Sequence, residues 1–268
     1  MAKLDFAVIG KPVAHSMSPQ IHNFFAAQFD FKNYSYKKIL SSKENLKETV
    51  NDFFRDGGSG LNITIPFKVD AYNLCDTLDE TASQCGSVNT LKSELGKIKG
   101  YNTDGQGFID DLIKKNVRIN NSTILILGAG GSAMSIANSL LRKSIESKIS
   151  ILNRTISKAD KLVDYFSNNN LQIHKTGSVY DLVINTTPIS MSGDKVTFPN
   201  NFFKPSTTCY DLFYSKQQTT FQEWSNRNGI EICYDGLGML IEQAKHSFAI
   251  WNNKIPDVTS LEEQLRLT

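Results

Sequence analysis

Ile124-Leu-Ile-Leu127-Gly128-Ala129-Gly130-Gly131-Ser132-Ala133, followed after one more strand by Asn153-Arg154, decides the fold. Ile124 to Leu127 is a short continuous apolar run, the pattern of a strand buried on both faces of a parallel sheet. Gly128, Gly130 and Ala133 fit Gly-x-Gly-x-x-Ala, with Ala133 opening a helix to Arg142. Gly128 permits the tight turn, Gly130 lets a pyrophosphate approach the backbone, and Ala133 allows close helix–strand packing. The N–H groups at the helix start hold phosphate oxygens. The next strand is Lys148-Ile-Ser-Ile-Leu152. An NAD site usually ends that strand with Asp or Glu on the ribose 2′-hydroxyl. Here it ends in Asn153-Arg154-Thr155. A carboxylate would repel a 2′-phosphate, whereas Arg154 can pair with it and stack on adenine. The stretch therefore reads as an NADP(H) site on a doubly wound parallel sheet.

The rest of the composition narrows the class. At 268 residues and 40% hydrophobic content, the chain suits two modest domains or one large one. A net charge of +2, with no lysine/arginine block, points neither to nucleic acid nor to an anionic membrane surface. Cys75, Cys85, Cys209 and Cys233 form no Cys-x-x-Cys pair and read as reduced thiols of a cytoplasmic protein. Met1-Ala-Lys-Leu-Asp-Phe6 lacks a signal-peptide apolar region. Ile124 to Leu141 is apolar enough to raise a membrane question, but its glycines, serines and Asn138 favour strand–turn–helix. His15, His22, His174 and His246 show no metal-ligand spacing, so no metal is expected.

Upstream, Leu4 to Ile9 reads as a strand, and Ser18-Pro19 as the start of a helix with Ser18 at the N-cap. Tyr34 to Ile39 is a second strand. Leu46, Val50, Phe53 and Phe54 make a helical stripe stopped by Asp56-Gly57-Gly58. Leu61 to Ile65 alternates, and Pro66 at the first helical position puts Lys68 in the first turn of another helix. A hairpin pairs Val88–Leu91 with Lys97–Tyr101 about Leu95-Gly96. Downstream of Arg154 come a helix (157–167), strands at 181–185, 207–211 and 230–233, and a helix around Phe221–Trp224. Alternating strands and helices imply a parallel sheet. A last helix, Met239 to Asn252, carries Leu240, Ile241, Ala244, Phe248 and Trp251 on one face, expected to return to the N-terminal domain. The expected architecture is α/β: an N-terminal domain (1–102 and 240–268), a Rossmann domain (103–239), and a cleft between them.

Several stretches together resemble the shikimate dehydrogenases, and the resemblance spans nearly the whole chain. They include Ser16-Met-Ser18-Pro19, Asn62-Ile-Thr64-Ile-Pro66-Phe-Lys68, Gly86-Ser-Val-Asn89-Thr90 and Gly100-Tyr-Asn102-Thr103-Asp104-Gly105. Next come the glycine loop, Asn153-Arg154-Thr155, Asn185-Thr-Thr187-Pro188, Asp211-Leu-Phe-Tyr214 and Asp235-Gly-Leu-Gly-Met239-Leu-Ile-Glu-Gln243. The resemblance implies reversible reduction of 3-dehydroshikimate to shikimate with NADPH, on the route to aromatic amino acids.

It also implies roles for individual residues. Ser16 and Ser18 match the pair that binds the substrate carboxylate. Asn62, Thr64, Asn89, Asp104 and Gln243 match groups that bind ring hydroxyls, with Tyr214 beside them. Lys68 and Asp104 match the catalytic dyad: a ketone reduction needs a proton at the developing alkoxide, and a lysine there supplies both charge and proton. The cofactor site takes in Gly128, Ala129, Gly130, Gly131, Ser132 and Ala133, then Asn153, Arg154 and Thr155. Thr187, Met191, Leu212 and Gly236 complete it.

Three positions depart from the family's pattern. Lys216 stands where a proline is usual, Thr186 replaces the alanine of Asn-Ala-Thr-Pro, and Ser190 replaces a glycine before Met191. They bear on the loops near the nicotinamide. Ser18, where quinate-using relatives tend to carry threonine, favours shikimate. Two alternatives stand beside this reading: a quinate/shikimate dehydrogenase with relaxed cofactor use, and a non-catalytic protein that senses NADP and shikimate. The partners expected are small molecules, with no nucleic acid and no membrane, and the chain a monomer or homodimer.

Overall fold

The computed structural model describes residues 4–267; Met1–Lys3 and Thr268, which the expected N-terminal domain includes, lie outside them. The chain divides into two compact units, Met1–Gly107 with Leu240–Thr268, and Phe108–Met239.

The first unit runs β1 (Leu4–Gly10), α1 (Ser18–Gln28), β2 (Tyr34–Leu40), α2 (Leu46–Arg55), β3 (Gly60–Ile63) and α3 (Lys68–Tyr72). It continues with β4 (Thr77–Leu78), α4 (Glu80–Cys85), β5 (Thr90–Glu94), β6 (Lys97–Tyr101) and the start of α5 (Asp104–Lys114). Its sheet has the order β2-β1-β3-β5-β6-β4. β1 pairs parallel with β2 and β3, whereas β5 runs antiparallel to β3 and β6. The β5–β6 turn is Leu95-Gly96, both at positive φ (52° and 76°), the twist that a two-residue hairpin favours.

The second unit contains the rest of α5, then β7 (Thr123–Leu127), α6 (Gly131–Lys143), β8 (Lys148–Leu152), α7 (Ile156–Phe166) and β9 (Leu171–Ile173). Then come β10 (Leu182–Asn185), α8 (Ile189–Ser192), β11 (Thr208–Asp211), α9 (Thr220–Arg227) and β12 (Ile232–Tyr234). Its sheet, β12-β11-β10-β7-β8-β9, is parallel throughout. The strand order reverses between β7 and β10, the topological switch point of a doubly wound sheet. Ile124 and Ile126 point into one core and Leu125 and Leu127 into another, all fully buried. That accounts for the unbroken apolar run, since both faces of a central parallel strand are covered.

α10 (Leu237–Asn252) brings the chain back to the first unit, and α11 (Leu261–Leu267) ends it. Trp251 stacks on Phe6 at 4.8 Å and donates to the Leu91 carbonyl at 3.0 Å. Phe248 meets Phe25 edge-on at 5.6 Å. No helix among the described residues is long and apolar enough to cross a membrane.

The structure corrects several sequence expectations. Ser18 is the first helical residue rather than the N-cap, which falls on Met17; its hydroxyl accepts from Ser16 Oγ at 3.1 Å instead of capping. Pro66 lies outside α3, in a turn closed by the Phe67 N–H on the Thr64 carbonyl at 3.0 Å. Lys68 still opens that helix. β3 is buried at all four positions despite its alternating letters, because it sits between two other strands. α6 starts at Gly131, two residues before Ala133. α7 spans 156–166, and Ser167 caps it at φ 45°. β12 lies at 232–234 rather than 230–233. The hairpin's first strand starts at Thr90 rather than Val88. Short β4, β9, α4 and α8 carry too few residues for a periodic signal.

Candidate functional site

In the first unit, polar side chains from distant strands and helices gather in one place. Lys68 opens α3 and Asp104 opens α5; Lys68 Nζ lies 2.7 Å from Asp104 Oδ2, with the side chains only 12% and 6% exposed. The other carboxylate oxygen, Oδ1, accepts from Asn89 Nδ2 at 2.9 Å. That amide group also lies 2.8 Å from Thr103 Oγ1 and 3.1 Å from Gln243 Oε1. At its other end Asn89 Oδ1 accepts the Thr103 N–H and the Thr90 hydroxyl, each at 2.9 Å. The Asp104 N–H is itself held by Asn102 Oδ1 at 3.1 Å. An ion pair so enclosed depends on further hydrogen bonds to its charged groups, and the Asn89 amide supplies one to Asp104.

Gln243 reaches the group from α10 because Gly107 lets that helix close in. A Cβ on Gly107 would stand 2.4 Å from the Gln243 backbone nitrogen. Asn62 has both ends engaged by protein. Its Oδ1 accepts from Tyr36 Oη at 2.6 Å, while its Nδ2 faces the Asn89 carbonyl, Thr90 Oγ1 and Ser247 Oγ, each at 3.1 Å. Thr64 is half-buried at the end of β3. Ser16 Oγ donates to Ser18 Oγ at 3.1 Å and accepts from the Ser18 N–H at 3.3 Å.

Tyr36, Thr90, Thr103 and Ser247 belong to this network although sequence reasoning gave them no role. Thr90 and Thr103 sit inside quoted motifs, and Ser247 lies four residues after Gln243, on the same helix face. Tyr36 carries no local signal; only β2 packing beside β1 delivers it. His22 is likewise buried, stacked on Tyr36 at 4.4 Å, and its Nδ1 is 3.4 Å from Tyr34 Oη. Burial pushes its pKa down to about 3, with Asn62 opposing.

In the second unit the expected cofactor residues all follow the carboxyl ends of the parallel strands, where α/β sheets bind ligands. Gly128 ends β7 at φ 114°, and a Cβ there would stand 2.4 Å from Thr186 Oγ1. Gly130 differs: its φ is −96°, and a Cβ would meet nothing within 4 Å. Its glycine thus leaves open space in front of the α6 N-terminus, which has no side-chain cap. Gly131 and Ser132 form the first turn with Ala133, which is fully buried. Ala129 packs against the same core. After β8, Asn153 Nδ2 donates to the Thr155 carbonyl at 2.9 Å, and exposed Arg154 has no carboxylate partner among the described residues. An open backbone cradle, an uncapped 13-residue helix and an unpaired guanidinium suit a pyrophosphate and a 2′-phosphate.

Thr187, after β10, directs its N–H and hydroxyl to Asn185 Oδ1 at 3.1 and 2.6 Å. Met191 lies on α8. Leu212 follows β11 with its N–H on the Asn185 carbonyl, and Gly236 follows β12 with its N–H on the Phe213 carbonyl, both at 2.9 Å. Tyr214 is in this unit too, half-buried and stacked on Phe213 at 5.9 Å. Asp211 is a hub that sequence reasoning did not identify. Fully buried, it accepts from Asn185 Nδ2 (2.9 Å), Ser190 Oγ (2.6 Å), Thr219 Oγ1 (2.6 Å) and the Phe213 N–H (3.1 Å). Burial nevertheless raises its pKa above the usual carboxylate value, with those donors opposing. Among the described residues no three His, Cys, Asp or Glu side chains gather to hold a metal ion.

Comparison with known proteins identifies the family. Residues 8–91 match the model of the shikimate dehydrogenase substrate binding domain, 111–192 that of shikimate/quinate 5-dehydrogenase, and 236–266 that of the shikimate 5′-dehydrogenase C-terminal domain. The chain is 40% identical over 266 residues to a shikimate dehydrogenase (NADP(+)) of Colwellia psychrerythraea, covering 98% of this chain and 96% of that one. An Ael1 enzyme from Pseudomonas putida superposes with a TM-score of 0.88 at 33% identity, over 98% of both chains. A shikimate 5-dehydrogenase from Thermus thermophilus, solved with NADP(H) and shikimate, does so at 0.87 and 29% identity, over 98% of this chain and 99% of that one. With three family models matched in order along the chain and 40% identity to a relative over 98% of it, this protein belongs to the shikimate dehydrogenase family.

Proposed function

We propose that Lys68 and Asp104 drive, in this chain, the reversible NADPH-dependent reduction of 3-dehydroshikimate to shikimate. The observation that carries the reading is the Lys68–Asp104 ion pair, 2.7 Å long and buried among amide and hydroxyl groups. NADPH, when bound, supplies the hydride. Lys68 stabilises the oxygen that becomes negative and gives it a proton; in the oxidative direction it receives that proton back. Asp104 supplies the counter-charge and holds the ammonium in place.

Ser16 and Ser18 offer hydroxyls to the substrate carboxylate, and Thr64, Asn89, Asp104, Gln243 and Tyr214 offer polar groups to the ring hydroxyls. Asn62 serves from behind, since its amide is taken up by Tyr36 and the groups around Asn89. Gly128 to Ala133 cradle the pyrophosphate, Asn153, Arg154 and Thr155 hold the adenosine 2′-phosphate, and Thr187, Met191, Leu212 and Gly236 border the nicotinamide. The substrate domain, expected as 1–102 with 240–268, corresponds to the compact unit that runs on to Gly107, and the NADP domain, expected as 103–239, to the unit that begins at Phe108. The enzyme acts in the cytoplasm as a monomer or homodimer on small molecules alone, a reading supported by four free cysteines and a net charge of only +2.

The test is absorbance at the reduced-nicotinamide band with shikimate and NADP, repeated with quinate and with NAD. Shikimate-dependent NADPH formation supports the proposal. Tight binding of both ligands without turnover would favour the sensor, and equal rates with quinate or NAD would favour the relaxed enzyme.

A further inference from the structure

Two hydroxyls behind Asn89 have no part in the reaction as described. Thr90 opens β5 and Ser247 lies on α10; both are fully buried and their oxygens are 2.7 Å apart. Thr90 gives its single proton to Asn89 Oδ1 at 2.9 Å. With the Thr90 proton on Asn89, the one proton of Ser247 is shared between Thr90 Oγ1 at 2.7 Å and the Gln243 carbonyl at 3.2 Å. Both oxygens also accept from Asn62 Nδ2 at 3.1 Å. Ser247 Oγ further lies 3.2 Å from Thr103 Oγ1 and 3.2 Å from the Gln243 carbonyl.

A side-chain amide can present either end to a neighbour, and the surrounding donors decide which. The Thr103 N–H can only donate, so the end of Asn89 it meets is the oxygen, and the Thr90 hydroxyl donates a second bond to that same oxygen. The NH₂ end is thereby turned on Asp104 Oδ1. The opposite orientation would set an amide oxygen against the carboxylate, displacing Asp104 and with it Lys68.

We infer that Thr90 and Ser247 are positioning residues for the Lys68–Asp104 pair, acting by anchoring the oxygen end of the Asn89 amide so that its NH₂ end stays on Asp104. The inference rests on the catalytic reading of that pair given above.

Steady-state kinetics with shikimate and NADP on the full chain test it, with thermal midpoints recorded alongside. Thr90→Val keeps the shape and loses the hydroxyl, so kcat should fall about 10- to 100-fold, the usual consequence of a misplaced catalytic group. Thr90→Ser keeps the hydroxyl and loses a methyl, so kcat should stay within about threefold while the thermal midpoint drops. In a Lys68→Met background, Thr90→Val should cost less than about twofold, because the group it positions is gone. If Thr90→Val does not fold, Ser247→Ala decides, with kcat expected to fall at least about threefold. Native kcat in Thr90→Val, or a loss undiminished in the Lys68→Met background, would overturn the inference alone. A wild-type chain without shikimate-dependent NADPH formation would overturn the functional reading, and this inference with it.

Discussion

Ser190 Oγ donates a 2.6 Å hydrogen bond to Asp211 Oδ2 and accepts the Phe221 N–H at 3.1 Å. Ser190 is one of the three departures from the family's pattern, and a glycine there could make neither contact. It ties the α8 segment to the end of β11 and the start of α9. Ser190→Gly removes a bond to a buried carboxylate, worth about 1.5–3 kcal/mol. Denaturant unfolding should show that loss; an unchanged midpoint would mean that Asn185 and Thr219 satisfy Asp211 without it.

Lys68→Met preserves the side-chain stem and removes the charge. Acting on the transition state, Lys68 should lower kcat by about 10²–10⁴ when lost, while KM for shikimate moves little. Asp104→Asn should lower kcat and raise KM together. The double variant should lose less than the two single losses combined. Near-native kcat with a raised KM in Lys68→Met would make Lys68 a binding group only.

Arg154→Asp should reverse or flatten the preference for NADP over NAD, because a carboxylate repels the 2′-phosphate and suits the free ribose hydroxyls. The ratio of kcat/KM for the two cofactors measures this. An unchanged ratio would remove Arg154 from the 2′-phosphate site.

Gly128 and Gly130 should respond in opposite ways. Gly128→Ala places a Cβ at φ 114° and 2.4 Å from Thr186 Oγ1, so thermal stability should fall by about 1–3 kcal/mol or more. Gly130→Val adds bulk to open space; it should fold with a near-native midpoint and lose NADP affinity by at least about tenfold. Native NADP binding by Gly130→Val, followed by fluorescence titration, would place the pyrophosphate elsewhere.

His22 makes stability depend on pH. Its folded pKa is about 3, below the unfolded 6.5, because it is buried. Above 6.5 both states are neutral. As pH falls from 6.5 towards 3, only the unfolded chain takes up the proton, so stability drops by about 1.4 kcal/mol per pH unit. His22→Leu should remove that share of the slope in urea unfolding between pH 6.5 and 4.5. An unaltered slope would assign it to other groups.

Much of this protein was legible in the chain itself. The apolar run of β7, the glycines after it, the β5–β6 turn and the helical stripe of α2 are local patterns, set by steric and periodic preferences within a few residues. The same holds for the second unit's strand–helix alternation, which implies its parallel sheet. The motifs also named Lys68 and Asp104, although nothing local says that they meet. The tertiary structure alone decided the pairings. Asn62 and Ser247 are 185 positions apart and share a hydrogen bond; Asp111, 99 positions from Tyr210, accepts its hydroxyl proton. It also moved Ser18 off its N-cap and made Asp211 a hub. The physical reason is that burial obliges polar groups to find partners, and which partner lies within 3 Å depends on how distant strands and helices pack.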